Sequence, residues 1–126
     1  MTTAAALRAR YVGDSVATAS PARLLVMLYD RLVLDLLQGE RAQRAGDRET
    51  ANRCLQHAQQ IVLELRLGLD VTAWEGGVGL AKLYTFLLSE LAAANVRGDA
   101  DRTARCREVV EPLQEAWREA AIQVAT

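Results

Sequence analysis

From position 21 onward, apolar residues recur at three- and four-residue spacing in four long stretches, and the interruptions between them repeat. Ser20-Pro21 reads as a helix start. The serine hydroxyl can accept from an orphan backbone N–H, and a proline in the first turn forfeits no useful donor. A first helix is predicted over 21–45, ending at Gly46. Asp47 then caps a second helix, in which Ala51, Cys54, Leu55, Ala58, Ile61, Val62, Leu65 and Leu69 follow the i, i+3, i+4 rule. The pattern breaks over 70–79, with Gly76-Gly77 as the clearest loop signal. A third helix over 78–96 carries Leu80, Leu83, Tyr84, Leu87, Leu91 and Ala94 on one side. Gly98-Asp99 repeats the Gly46-Asp47 punctuation. The last helix presents Cys106, Val109, Val110, Leu113, Ala116, Trp117, Ala120, Ala121 and Val124 as one stripe. Pro112 interrupts it: an interior proline removes a backbone hydrogen bond and costs about 3 kcal/mol in a straight helix, which predicts a kink near 108–111.

Short connections between long helices favour antiparallel neighbours. The expected architecture is therefore all-α, an antiparallel up-down bundle of four long helices over residues 20–126. Residues 1–19 stand apart, with a short helical turn at 4–10 and then Tyr11-Val12-Gly13-Asp14-Ser15, too polar and glycine-broken to extend the bundle. They are expected to form a mobile or lightly docked arm.

The first long helix carries more apolar surface than one buried face requires. Leu24, Leu25, Val26, Met27, Leu28 and Tyr29 run without a polar break, and Leu32, Val33, Leu34, Leu36 and Leu37 follow with only Asp35 between them. A helix with a single buried face is apolar over a little more than a third of its circumference. Leu25, Leu28, Leu32 and Leu36 form one stripe, and Val26, Val33 and Leu37 an adjoining one. Leu24, Met27 and Leu34 are left pointing elsewhere, as are Leu63 and Leu67 on the second helix. Burial of a central helix on several sides accounts for part of this. The rest predicts a groove for an apolar helix from another protein, which the arm, through Leu7, Tyr11 and Val16, would cover until the partner arrives.

Composition and charge narrow the classes. With 126 residues, 51% of them hydrophobic and 25% charged, the chain can bury one continuous core. Fifteen Lys and Arg against sixteen Asp and Glu, without long runs of either sign, make nucleic acid and anionic membrane poor partners. No run of about 20 apolar residues and no signal-type start is present, so the expected setting is cytoplasmic, without membrane insertion. Cys54 and Cys106 fall on apolar stripes, where a thiol packs as a small hydrophobe, and a disulfide is not expected.

Catalytic equipment is not found. A di-iron bundle needs Glu-x-x-His pairs, and the only histidine, His57, lacks a glutamate three residues earlier. Its neighbours Gln56, Gln59 and Gln60 suggest a solvated surface position. The cysteines lack metal-knuckle spacing. Gly76-Gly77-Val78-Gly79 precedes a helix but lacks the following Lys-Ser/Thr and a preceding strand, so it is no phosphate loop. Glu40, Glu64, Glu90 and Glu111 are scattered. The expectation is a non-enzyme without cofactor or metal.

Tyr11-Val12-Gly13-Asp14-Ser15-Val16-Ala17-Thr18-Ala19-Ser20-Pro21, followed by Leu24-Leu25-Val26-Met27-Leu28-Tyr29-Asp30, resembles the N-terminal signature of the FliS family of flagellin-specific export chaperones. Ala58-Gln59-Gln60-Ile61-Val62-Leu63-Glu64-Leu65, Leu69-Asp70, Gly76-Gly77, Leu83-Tyr84, Ala94-Asn95 and Glu115-Ala116-Trp117 continue the likeness, which spans residues 7 to about 120. Arg31, where many members have a small residue, and the segment 71–75 around Trp74 depart from it. The resemblance implies a cytoplasmic helical bundle that binds the disordered C-terminal segment of flagellin, prevents premature polymerisation and helps deliver flagellin to the flagellar type III export gate. It implies partner roles for Tyr11 and Val16 in the arm, and for Tyr29 and Asp30 in the Leu-Tyr-Asp motif unless these two are chiefly structural. Leu7, Leu24, Met27, Leu34, Leu63 and Leu67 join them from the pattern alone. The expected state is a monomer or a weak or swapped homodimer. The competing readings are a helical adaptor for another secreted or regulatory protein, a metal-dependent bundle enzyme, and a structural oligomer that buries the apolar excess itself.

Overall fold

The computed structural model describes residues 21–73 and 75–125, with the side chains of the last two left aside. Four helices fill them: α1 Pro21–Arg44, α2 Arg48–Gly68, α3 Gly77–Arg97 and α4 Ala100–Ala125. No strand occurs among the described residues. The predicted arm, with Leu7, Tyr11 and Val16, lies outside them, as does Trp74.

Two turns of identical chemistry close one end of the bundle. Gly46 and Gly98 take positive φ values of 75° and 64°, where an L side chain would be strained. In each turn the following aspartate N–H reaches back to a helix carbonyl, Asp47 to Ala42 at 2.9 Å and Asp99 to Ala94 at 2.9 Å. The glycine N–H groups reach Gln43 and Asn95, completing the paired bonds of a Schellman motif. The same aspartates start the next helices. Asp47 accepts from the Thr50 N–H at 3.1 Å and Asp99 from the Arg102 N–H at 3.0 Å. One dipeptide thus ends one helix and caps the next, each cap contributing about 1 kcal/mol.

Register follows from the polar pairs. On the α1–α4 seam, Asp30 accepts from Gln114 and Arg118, Glu40 pairs with Arg107, and Arg44 with Asp101. Sequence numbers rise on one helix as they fall on the other, so the two are antiparallel. Asp35 with His57 places α1 against α2, Asn52 with Asn95 places α2 against α3, and Arg102 beside Glu90 places α4 against α3, all with the same antiparallel sense. α1 and α3 lie diagonally opposite and parallel, bridged by Tyr29 to Tyr84 and by Gln43, whose amide donates to the Ala94 carbonyl. Gln43 also accepts from the fully buried Thr103 hydroxyl at 2.7 Å, tying three helices together at the closed end.

Tyr29, Leu32, Leu36, Leu55, Val62, Leu87, Leu91 and Val110 are essentially inaccessible to solvent and form the core. Gly39 lets α2 come close, since a Cβ there would sit 3.1 Å from Leu55 Cδ2. α4 is continuous through Pro112. Ala116, expected on the packed stripe, is exposed. By length and composition alone α3 is apolar enough to cross a membrane. Its place in the bundle explains the apolarity: Leu80, Tyr84, Leu87, Leu91 and Ala94 are core residues.

Candidate functional site

The apolar excess on α1 divides into an inner and an outer part. Leu24 and Tyr29, both named from the sequence as partner contacts, are buried. Tyr29 falls three residues before Leu32 and seven before Leu36 and belongs to their stripe. Its hydroxyl is hydrogen-bonded to that of Tyr84, and its ring lies 6.4 Å from that of Trp117, tilted by 45°. Leu24, expected to point away from the bundle, packs into it. Neither side chain is offered on the surface. Asp30, next to Tyr29, is exposed and holds the α4 seam through Gln114 and Arg118.

Met27 and Leu34 are on the outside, 56% and 41% exposed, and Leu63 and Leu67 on α2 are 46% and 60% exposed. They do not converge on one groove. Met27 and Leu34 are seven residues apart, on one outward stripe of α1. Leu63 lies about three turns beyond Asn52, the residue that meets Asn95 on α3, so Leu63 and Leu67 occupy the α3 side of α2. The opposite side of α2, marked by His57, faces α1. The outer surface therefore carries two separate apolar strips, and it is extended by residues that periodicity alone passed over. Val78 and Phe86 on α3 and Ile122 on α4 are each more than half exposed. Phe86 sits one residue from the core position Leu87 and so falls off the α3 stripe, the signal that marks it in the sequence.

The expected surface histidine is instead half-buried, and its Nδ1 is hydrogen-bonded to the carboxylate of Asp35. That carboxylate is almost wholly buried and is also paired with Arg31 at 3.3 Å. Asp35 breaks an apolar run because it faces the α1–α2 seam, where two donors from different helices satisfy it. Arg31, the residue that departs from the family pattern, is one of them.

No catalytic grouping appears among the described residues. No cluster of three or more His, Cys, Asp or Glu side chains is placed to hold a metal. Both cysteines are buried and free. Burial pushes the Cys106 thiol up to about 11, and it raises the Cys54 thiol as well, with the nearby Asp35 charge adding to the effect. Neither is a poised thiolate. Burial likewise raises the phenols of Tyr29 and Tyr84.

The described residues thus form a four-helix bundle with a filled core and apolar strips left outside. Comparison with known proteins identifies the family. The family model described as flagellar protein FliS matches residues 3–124, and the chain belongs to that family. It is similar to the flagellar secretion chaperone FliS of Bacillus subtilis (strain 168), with 29% identity over 110 residues covering 87% of this chain and 82% of that one. The proteins of the same name from Salmonella typhimurium and Vibrio cholerae are 29% and 27% identical, covering 86% and 84% of this chain and 82% and 79% of theirs.

Proposed function

We propose that this chain is an export chaperone for flagellin: it holds the disordered C-terminal segment of flagellin in the cytoplasm, prevents premature polymerisation and aids delivery to the flagellar type III export apparatus. The observation that carries this reading is the pair of outer strips, Met27 with Leu34 and Leu63 with Leu67, on a bundle whose core is complete without them. Membership of the FliS family and the secretion-chaperone names of the relatives supply the cargo class.

Magnitudes bear on how such a cargo is held. Full burial of one large aliphatic side chain contributes about 1.5–3 kcal/mol, so four that are already half-buried contribute about 4 kcal/mol together. Ordering a disordered segment costs about 2–5 kcal/mol, and association costs more. The four residues alone offset the ordering and leave little affinity. A firmly held segment must also cover Val78, Phe86 or Ile122, and hence wrap over more than one face.

The test is a calorimetric titration with a peptide spanning the C-terminal segment of flagellin from the same organism. One-to-one binding with a large negative heat-capacity change is expected. Absence of binding to the folded protein would send the search to a different secreted partner.

A further inference from the structure

Independently of the apolar strips, the geometry points to a second docking surface, the open groove between α1 and α2, whose occupant is an acidic segment of a partner protein. The groove encloses about 660 Å³ and is lined by Arg31, Gln38 and Arg41 from α1 and by Thr50, Arg53 and His57 from α2, with Asp35 and Asp47 at its floor and end. A space of this size accepts several side chains of an extended segment.

The charge balance within the groove selects the sign of the occupant. Both lining carboxylates are already engaged: Asp35 by Arg31 and His57, and Asp47 by the Thr50 N–H that it caps. Asp47 is accordingly held below its ordinary value, chiefly by its bonds to Thr50, and stays ionised in that role. Arg41 and Arg53 form no ion pair among the described residues and are exposed. Arg53 acts on the ionised Asp47, so the groove, with Arg31, Arg41 and Arg53 against Asp35 and Asp47, carries one excess positive charge on a chain whose formal net charge is -1.

The chemistry of the lining selects the class. The cations are arginines, whose planar forks bind carboxylates in bidentate fashion, and Gln38 and Thr50 add neutral hydrogen-bonding groups. A phosphate cradle would need free backbone N–H groups, and the first turn of α2 is capped by Asp47. Nucleic-acid binding would need aromatic side chains on which bases could stack, and no aromatic ring lines the groove apart from the His57 imidazole, which is engaged by Asp35. The chain's own residues 1–20 are a poor charge match, with Arg8 and Arg10 against Asp14. An acidic segment from another protein fits each of these conditions.

The test is amide NMR titration of the full chain with a capped hexaglutamate peptide at low salt, for the wild type and for an Arg41→Ser/Arg53→Ser double variant. These arginines lie on the helix surface outside the core, so the variant should fold, and its unperturbed core resonances would verify that. Shifts centred on Gln38, Arg41, Arg53 and His57, with affinity about tenfold weaker in the variant and falling as salt rises, are expected. Absence of shifts in the groove overturns the proposal. So does binding of equal strength by the folded double variant, or the same shifts produced by inorganic phosphate at equal concentration, which would mark a generic anion effect.

Discussion

Tyr29 on α1 and Tyr84 on α3 meet across the bundle axis, their hydroxyls hydrogen-bonded to each other within a core built mostly from aliphatic side chains. The pair joins the two helices whose backbones are diagonally opposed. Its specificity is directional: only one rotation of α1 brings Tyr29 inward, and the same rotation sends Met27 and Leu34 outward. The core contact thereby sets which apolar residues are left for a partner. Tyr84→Phe leaves the Tyr29 hydroxyl buried without its partner and is expected to cost about 1–3 kcal/mol in urea unfolding. Adding Tyr29→Phe removes the orphan, so the double variant should be no less stable than Tyr84→Phe alone.

The same burial predicts an alkaline limit. Both phenols sit above their ordinary value of 10.0, and the Cys106 thiol is pushed up to about 11 from 9.0, in each case chiefly by burial. Between the unfolded and folded values, the unfolded chain has released protons that the native state retains. It then binds fewer protons, and stability falls as pH rises. Loss should begin above about pH 9 and steepen above about pH 10, each group contributing at most about 1.4 kcal/mol per pH unit. Urea midpoints measured across this range should show a shallower decline in the Tyr29→Phe/Tyr84→Phe variant.

Two glycines near the start of α3 should respond in opposite directions. A Cβ at Gly77 would lie 2.5 Å from the Val71 carbonyl oxygen, a backbone atom that cannot swing aside, whereas a Cβ at Gly79 meets nothing within 4 Å. Gly77→Ala forces the 69–76 connection away from the helix and is expected to destabilise by about 1–3 kcal/mol. Gly79→Ala, at an exposed helical position, is expected to stabilise by up to about 1 kcal/mol. Thermal unfolding of the two variants side by side checks both signs.

Much of the architecture was legible because its boundaries are written in local chemistry. Gly46-Asp47 and Gly98-Asp99 each combine a residue tolerant of positive φ with a capping carboxylate, so the ends of α1 and α3 and the starts of α2 and α4 needed no tertiary information. The outer positions Met27, Leu34, Leu63 and Leu67 were legible from period alone. Leu24 was not: α1 is apolar nearly all round, and pattern cannot choose its rotation when every face is apolar; Tyr29, named through the family motif with a structural role left open, is a core residue. His57 failed for a related reason. Its glutamine neighbours suggested solvent, but the residue that engages it, Asp35, is 22 positions away and becomes a partner only when α1 and α2 pack.

That seam gives a further prediction. His57→Ala removes one of the two donors to the buried Asp35 carboxylate and leaves Arg31 alone, at an expected cost of about 1 kcal/mol or more. Asp35→Ala in the same background should cost less than in the wild type, since the two losses share one interaction. A double-mutant cycle by urea unfolding measures that coupling, and additive losses would show that the pair contributes nothing of its own.

The outer strips are tested most directly by calorimetric titration of the C-terminal flagellin peptide into Met27→Asp, Leu34→Asp, Leu63→Asp and Leu67→Asp variants, each first shown to unfold within about 0.5 kcal/mol of the wild type, as befits exposed positions. The expected result is weaker binding in variants from both strips, since the cargo must cover more than one face. Unchanged affinity in all four folded variants would contradict a partner surface at these residues, and loss confined to one strip would contradict a segment that wraps both.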